Sequence, residues 1–182
     1  MAIIKVSTSL FSAIKTIERA MNKASRGDTI HVAPGLYKES IQFHEMVSVV
    51  GRNRKDTVVE GMLIVPRGST VTFEQLTIAP TAQMYIEGRA IFKSCHFHGG
   101  HTSVILSVSS GEVELEDCIM EQAQDVGIAL FNGSEATVKK CVFTNNGKSH
   151  ALLEGSHLTI EDCELKDAVH GLWLKDLSLI HI

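Results

Sequence analysis

The chain predicts an all-β fold, a right-handed parallel β-helix (a β-solenoid) of about seven coils of roughly 17–23 residues each. Three observations predict it. Four cysteines, Cys95, Cys118, Cys141 and Cys163, recur at separations of 23, 23 and 22 residues. The residues around each cysteine repeat with it. A second apolar run follows each cysteine and most of these lead into a Gly/Ser turn, without helical periodicity.

Aligned on the cysteine, the segments read AIFKSCHF from Ala90, VELEDCIM from Val113, ATVKKCVF from Ala136 and LTIEDCEL from Leu158, and VTFEQLTI from Val71 fits with Leu76 in the cysteine's place. Two apolar positions two apart, a two-residue polar corner and two more apolar positions two apart describe two short strands joined by a tight bend. The second apolar runs are SVILSV from Ser103, VGIALF from Val126, SHALLEG from Ser149 and HGLWL from His170. A period near 23 is too short for tetratricopeptide or ankyrin units, and the leucine and asparagine signature of leucine-rich repeats is absent. Stacked parallel strands roughly 4.8 Å apart remain.

The two ends differ. Phe11, Ile14, Ile17, Met21 and Ala24 fall at helical spacing between Thr8 and Ser25, with Ser7, Thr8 or Ser9 as N-cap and Gly27 as a stop. Residues 1–27 are therefore expected to form a strand and an amphipathic capping helix over the first coil, with the β-helix proper spanning 28–182 in the same structural domain. After Trp173 the chain closes with KDLSLIHI, and no capping helix is evident. An uncovered sheet edge invites pairing, by a second copy, by the chain's own tail or by a longer protein's next segment.

The 182 residues carry 17 Lys plus Arg against 21 Asp plus Glu, a formal charge of −4, without the basic run or aromatic-basic interleaving of a nucleic-acid groove. Charges interrupt the apolar residues of the first 25 positions, and no stretch reaches membrane-spanning length. The expected location is the cytoplasm, with thiols reduced. Neither nucleic acid nor membrane is an expected partner.

CHFHGGH, residues 95–101, holds one cysteine and three histidines. The repeat assigns Cys95 to an inward ladder with Leu76, Cys118, Cys141 and Cys163. Parallel Cβ vectors at the inter-strand spacing hold the β-carbons too far apart for disulfides, so four free thiols are expected. Strand alternation sends His96 and His98 outward on one side, with His101 in the following turn, the geometry of a three-nitrogen metal site or of three solvated surface histidines. Glu121 and Ile119 occupy the aligned positions one rung on. His150 and His170 sit on adjacent rungs of the second strand column and are also read as surface groups.

The first corner position runs Glu74, Lys93, Glu116, Lys139, Glu161, alternating in sign at every rung, and the second runs Gln75, Ser94, Asp117, Lys140, Asp162. Opposite charges on neighbouring strands stabilise a sheet, which gives these acids a structural task. Asp125, Asp167 and Asp176 are scattered among turns. With Ile105, Ile128, Ala151 and Leu172 inward, Leu106, Ala129, Leu152 and Trp173 form an outward apolar stripe, suited to another chain, a sugar strip or cover by the tail from Leu177 to Ile182. A one-residue slip would exchange the two faces.

The stretch GDTIHVAPGLYKESIQFHEMVSVVG, ending at Gly51, resembles the opening coils of right-handed parallel β-helix proteins of the pectin-lyase-like superfamily, and the V-x-V-x-x-C-x-F rungs resemble their generic repeats. That resemblance implies the fold over nearly the whole chain. It spans pectate lyases, esterases, polygalacturonases, epimerases, sugar-binding modules and non-catalytic scaffolds, some fused to AAA-type ATPases in bacteria, so it leaves function open. It also implies structural roles for Asp28, Tyr37 and Glu39. The expectation is a non-catalytic scaffold for protein–protein interaction or self-association, without cofactor. A carbohydrate-binding module and a polysaccharide lyase or hydrolase are the alternatives.

Overall fold

The computed structural model describes residues 1–81, 83–100 and 102–182. Three sheets, all of parallel strands, surround one apolar core. The first has nine strands, from Ile3–Val6 to Leu179–His181, and includes the strands just ahead of each cysteine: Arg89–Lys93, Glu112–Glu116, Glu135–Lys139 and His157–Glu161. The second has seven, from Gly35–Lys38 to Glu164–Lys166, and includes the three-residue strands after each cysteine. The third also has seven, from Ile41–Gln42 to His170–Lys175, and holds the apolar runs Val104–Ser109, Val126–Phe131 and Ser149–Glu154. The chain visits the sheets in that order through seven complete coils, with one extra first-sheet strand at each end.

The repeat alignment is the register of the first two sheets. Phe73, Phe92, Leu115, Val138 and Ile160 pair rung to rung and point inward. Phe73 stacks on Phe92 at 4.9 Å, and Phe43 and Phe97 meet these two rings edge-on at 5.1 and 4.9 Å. Each such ring contributes roughly 1.5–3 kcal/mol through burial.

The bend between the first and second sheets has a specific backbone cause. Gln75, Ser94, Asp117, Lys140 and Asp162 all adopt positive φ, between 50° and 53°. A left-handed residue reverses the pleat in one step, so the chain turns a corner without losing the parallel ladder on either side. Positive φ recurs at the other two corners, at Gln122, Asn145 and Asp167 and at Ser110, Asn132, Gly155 and Asp176.

The N-terminal end departs from expectation. In place of a helix across Thr8 to Ser25, only Ile17–Met21 is helical, capped by Thr16, whose hydroxyl accepts from the Arg19 N–H. Upstream, serines compete with helical bonding. The Ser7 N–H donates to the Ile14 carbonyl, the Ser9 N–H to the Ser7 hydroxyl, and the Ser12 hydroxyl to the Ile14 carbonyl. Phe11 is left exposed, while Ile17, Ala20 and Met21 join the core beside Ile3–Val6, Thr29–Val32 and Ile41–Gln42.

Asp28 and Glu39 of the opening motif tie this segment down, and Tyr37 closes a bond within the motif. The Asp28 carboxylate accepts from the Ala2 and Ser25 N–H groups at 2.6 and 2.9 Å, which hold its pKa below the usual carboxylate range. The Glu39 carboxylate accepts from the N–H groups of Ile17 and Glu18 at 3.0 and 2.9 Å, satisfying the first donors of the helix. The Tyr37 hydroxyl donates to the Ala33 carbonyl at 2.8 Å. At the other end the tail does not fold back over the third sheet: Leu179–His181 pairs with His157–Thr159 in the first sheet, and Leu177 is exposed.

Candidate functional site

Leu76, Cys95, Cys118 and Cys141 are buried on successive rungs, and Cys163, on the last, is only partly so. All four cysteines are free. Each thiol sits against backbone carbonyls of its own or the preceding rung, as in Cys118 Sγ with Phe92 O at 3.5 Å and Glu116 O at 3.3 Å. The N–H of Cys118 donates to Cys141 Sγ, and that of Cys141 to Cys163 Sγ, both at 3.3 Å. Hydrogen bonding to Cys118, followed by burial, drives the Cys141 thiol far above its ordinary pKa. At Cys118 the contact with Cys141 acts downward, but the contact with Cys95 and burial outweigh it. Burial raises Cys163. Burial at Cys95, Cys118 and Cys141 shields those thiols from metal and reagents, while Cys163 is partly open to solvent.

His96 and His98 do point outward together, with ring centroids 6.0 Å apart. Register places Glu121 directly beside His98 on the next rung. Its side chain reaches between the two rings, so that one oxygen, Oε1, lies 2.9 Å from His96 Nε2 and 3.4 Å from His98 Nδ1. The candidate ligand atoms of the three residues all lie within 4.8 Å of one another, and all three side chains are partly buried. His101, the expected third ligand, lies outside the described residues. The 23-residue period of the sequence placed Glu121 beside His98, but it was not counted among the expected ligands.

The apolar stripe is corrected at its first member. Leu106, not Ile105, is in register with Ile128, Ala151 and Leu172, and it is a fully buried core residue. The outward partners are Ser107, Ala129, Leu152 and Trp173. Ala129 is wholly buried and Leu152 half-buried, which leaves Trp173 as the exposed member. Its ring is not bare: Lys175 Nζ lies 5.1 Å from the centroid and the His170 ring 5.7 Å away. A stacking sugar would have to displace one of them.

His150, expected at the surface, is in the core. Its Nδ1 accepts from Asn146 Nδ2 at 3.1 Å, in the amide orientation that also lets Asn146 Oδ1 accept from the Ala123 N–H and Nδ2 donate to the Met120 carbonyl. Burial lowers the His150 pKa.

Several acids have structural partners. Register confirms the alternating column from Glu74 to Glu161, and within it Lys139 and Glu161 close to 2.9 Å. Arg89 is paired with Glu114 and Glu112, Asp125 with Lys148, and Glu60 with Lys38. Asp117 accepts from the Ser94 hydroxyl at 2.7 Å.

Residues 49–181 match the family model of the right-handed β-helix region. No curated protein matches the sequence. Among solved structures, the pectin methylesterase from Aspergillus niger in deglycosylated form superposes with a TM-score of 0.56 at 14% identity, over 98% of this chain and 83% of that one. The same enzyme in penultimately deglycosylated form gives 0.51 at 12% identity with the same coverage. At such identity the likeness is one of fold. The family match over most of the chain makes it a member of the right-handed β-helix family, in keeping with its three-sheet coil.

Proposed function

We propose that the protein is a non-catalytic β-helix scaffold that self-associates through the end of its last coil. One observation carries this reading: the core columns come to the surface there. Leu174 is 45% exposed, whereas Leu153, its partner one rung earlier, is 0% exposed. Cys163, Leu165, Leu172 and Ile180 are likewise only partly buried, in columns that are sealed on the rungs before. Each sheet also ends in a strand with one unpaired edge among the described residues, at Glu164–Lys166, His170–Lys175 and Leu179–His181. Exposed apolar side chains bounded by open strand edges favour association.

We take a second copy, rather than a further segment of a longer protein, as the occupant. Three strand edges arranged around an apolar centre are complemented by another end of the same shape. The opposite end already carries the helix Ile17–Met21, which obstructs head-to-tail stacking. Pairing like end to like end gives a closed two-fold dimer. Arg89, Lys139, Lys148 and Lys38 hold several of the acids in ion pairs, and the pectin methylesterase likeness brings no residue correspondence, so no polysaccharide chemistry is proposed.

Multi-angle light scattering across a concentration series tests this. The wild type is expected at twice the chain mass, and Leu174→Lys, which puts a charge on the edge strand, at the monomer mass. A wild type that stays monomeric throughout would overturn the reading.

A further inference from the structure

We propose that His96, His98 and Glu121 form a site for a divalent transition-metal ion of the zinc class, beside a groove that His98 lines. The chemistry of the three groups comes first. Two imidazole nitrogens and one carboxylate oxygen are a donor set suited to zinc and its first-row neighbours, and three protein ligands leave a position for water or a bound molecule.

The scaffold sets their geometry. His96 and His98 stand two residues apart on the rigid strand His96–His98, and Glu121 is fixed next to them by the parallel register with Ile119–Glu121. Sites built on strands hold their ligands more closely than sites on loops. Nε2 of His96, Nδ1 of His98 and Oε1 of Glu121 already face one another, with Oε1 within 2.9 and 3.4 Å of the two nitrogens. Bond lengths of about 2.0–2.2 Å in a tetrahedral site place ligand atoms about 3.3 Å apart. The widest separation in the cluster, within 4.8 Å, closes to that by small side-chain rotations.

The surroundings also suit a bound ion. Within the described residues, Glu121 has no Lys or Arg partner and its bonds run to the two imidazoles, so a cation competes only with those two contacts, between groups that would become its own ligands. Beside His98 lies an open groove of about 270 Å³, walled by Ala79, Pro80, Gly99, Thr102 and Glu60. A molecule in this groove would lie against His98, with Glu60, paired with Lys38, at its edge. None of this depends on how the chain associates, because the site lies on the second sheet away from the last coil.

Calorimetric titration of the full chain with zinc chloride at neutral pH tests the site, with cobalt(II) as a spectroscopic probe. One equivalent is expected to bind. His96→Ala, His98→Ala and Glu121→Gln are each expected to weaken binding at least tenfold, while His157→Ala, on the first sheet, leaves it unchanged. Bound cobalt is expected to show the intense visible bands of a tetrahedral nitrogen-oxygen site without sulfur charge-transfer bands. Thermal melts of the metal-free variants separate loss of ligands from loss of fold. Failure to bind one equivalent, binding that survives all three substitutions in folded protein, or sulfur charge-transfer bands would overturn the proposal.

Discussion

The backbone N–H of Cys118 donates to the sulfur of Cys141, one full coil further along the chain, at 3.3 Å. Cys141, like Cys95 and Cys118, is at most 2% exposed, so burial inside the wall screens its sulfur from reagents. Cys95, Cys118 and Cys141 should therefore resist alkylation in the native protein and react together on unfolding in urea. Cys141→Ala removes the acceptor and leaves a small cavity, so it should cost about 1–3 kcal/mol in a urea titration. Rapid native labelling of these three thiols, or a disulfide among them, would contradict the ladder.

Asn146 and His150 give the protein a specific acid sensitivity. The native pKa of His150 is lowered by burial, so below the unfolded value of about 6.5 the unfolded chain takes up a proton that the native state refuses. Stability should be constant above that pH with respect to this group. It should fall as the pH drops through the window between the unfolded and native values, then level off from this source below it. His150→Phe should remove this component from a stability profile measured between pH 7.5 and 5. Asn146→Ala orphans the buried Ala123 N–H and His150 Nδ1 and should cost about 2–5 kcal/mol at neutral pH.

The corner column offers a stabilising change. Lys140 holds a φ of 53°, a conformation that costs a side-chain-bearing residue about 1 kcal/mol and glycine little. Lys140→Gly should raise stability by up to about 1 kcal/mol, and Lys140→Val, β-branched, should lower it by about 1–2 kcal/mol. Equal effects of the two substitutions in thermal melts would show that the corner is not left-handed.

Where the sequence alternates, its pattern was sufficient. In most of the first-sheet rungs a Thr or Glu separates two inward apolar residues and a charged corner follows, so a one-residue slip would bury Glu114 or Lys139, and the register could be read directly. Val104–Ser109 and Val126–Phe131 are apolar nearly across their width, so nothing local separated Leu106 from Ile105, and the stripe was misplaced on that rung. The helix failed for a different reason. Its apolar spacing was real, but Ser7, Ser9 and Ser12 offered the backbone competing partners that periodicity does not register. Glu121 was available by adding the period to His98. What periodicity lacked was the reach of a glutamate side chain back across one rung.

The partly exposed sulfur at the end of the ladder reports most directly on the claim that two copies pair through their last coils. Cys163 should alkylate faster than the other three thiols in dilute protein, and its rate should fall as the concentration rises through the range in which light scattering shows the dimer forming. In Leu174→Lys the rate should stay at the dilute value at every concentration. A Cys163 rate in the wild type that does not change with concentration, while Cys95, Cys118 and Cys141 remain protected, would contradict end-to-end association and leave the β-helix itself standing.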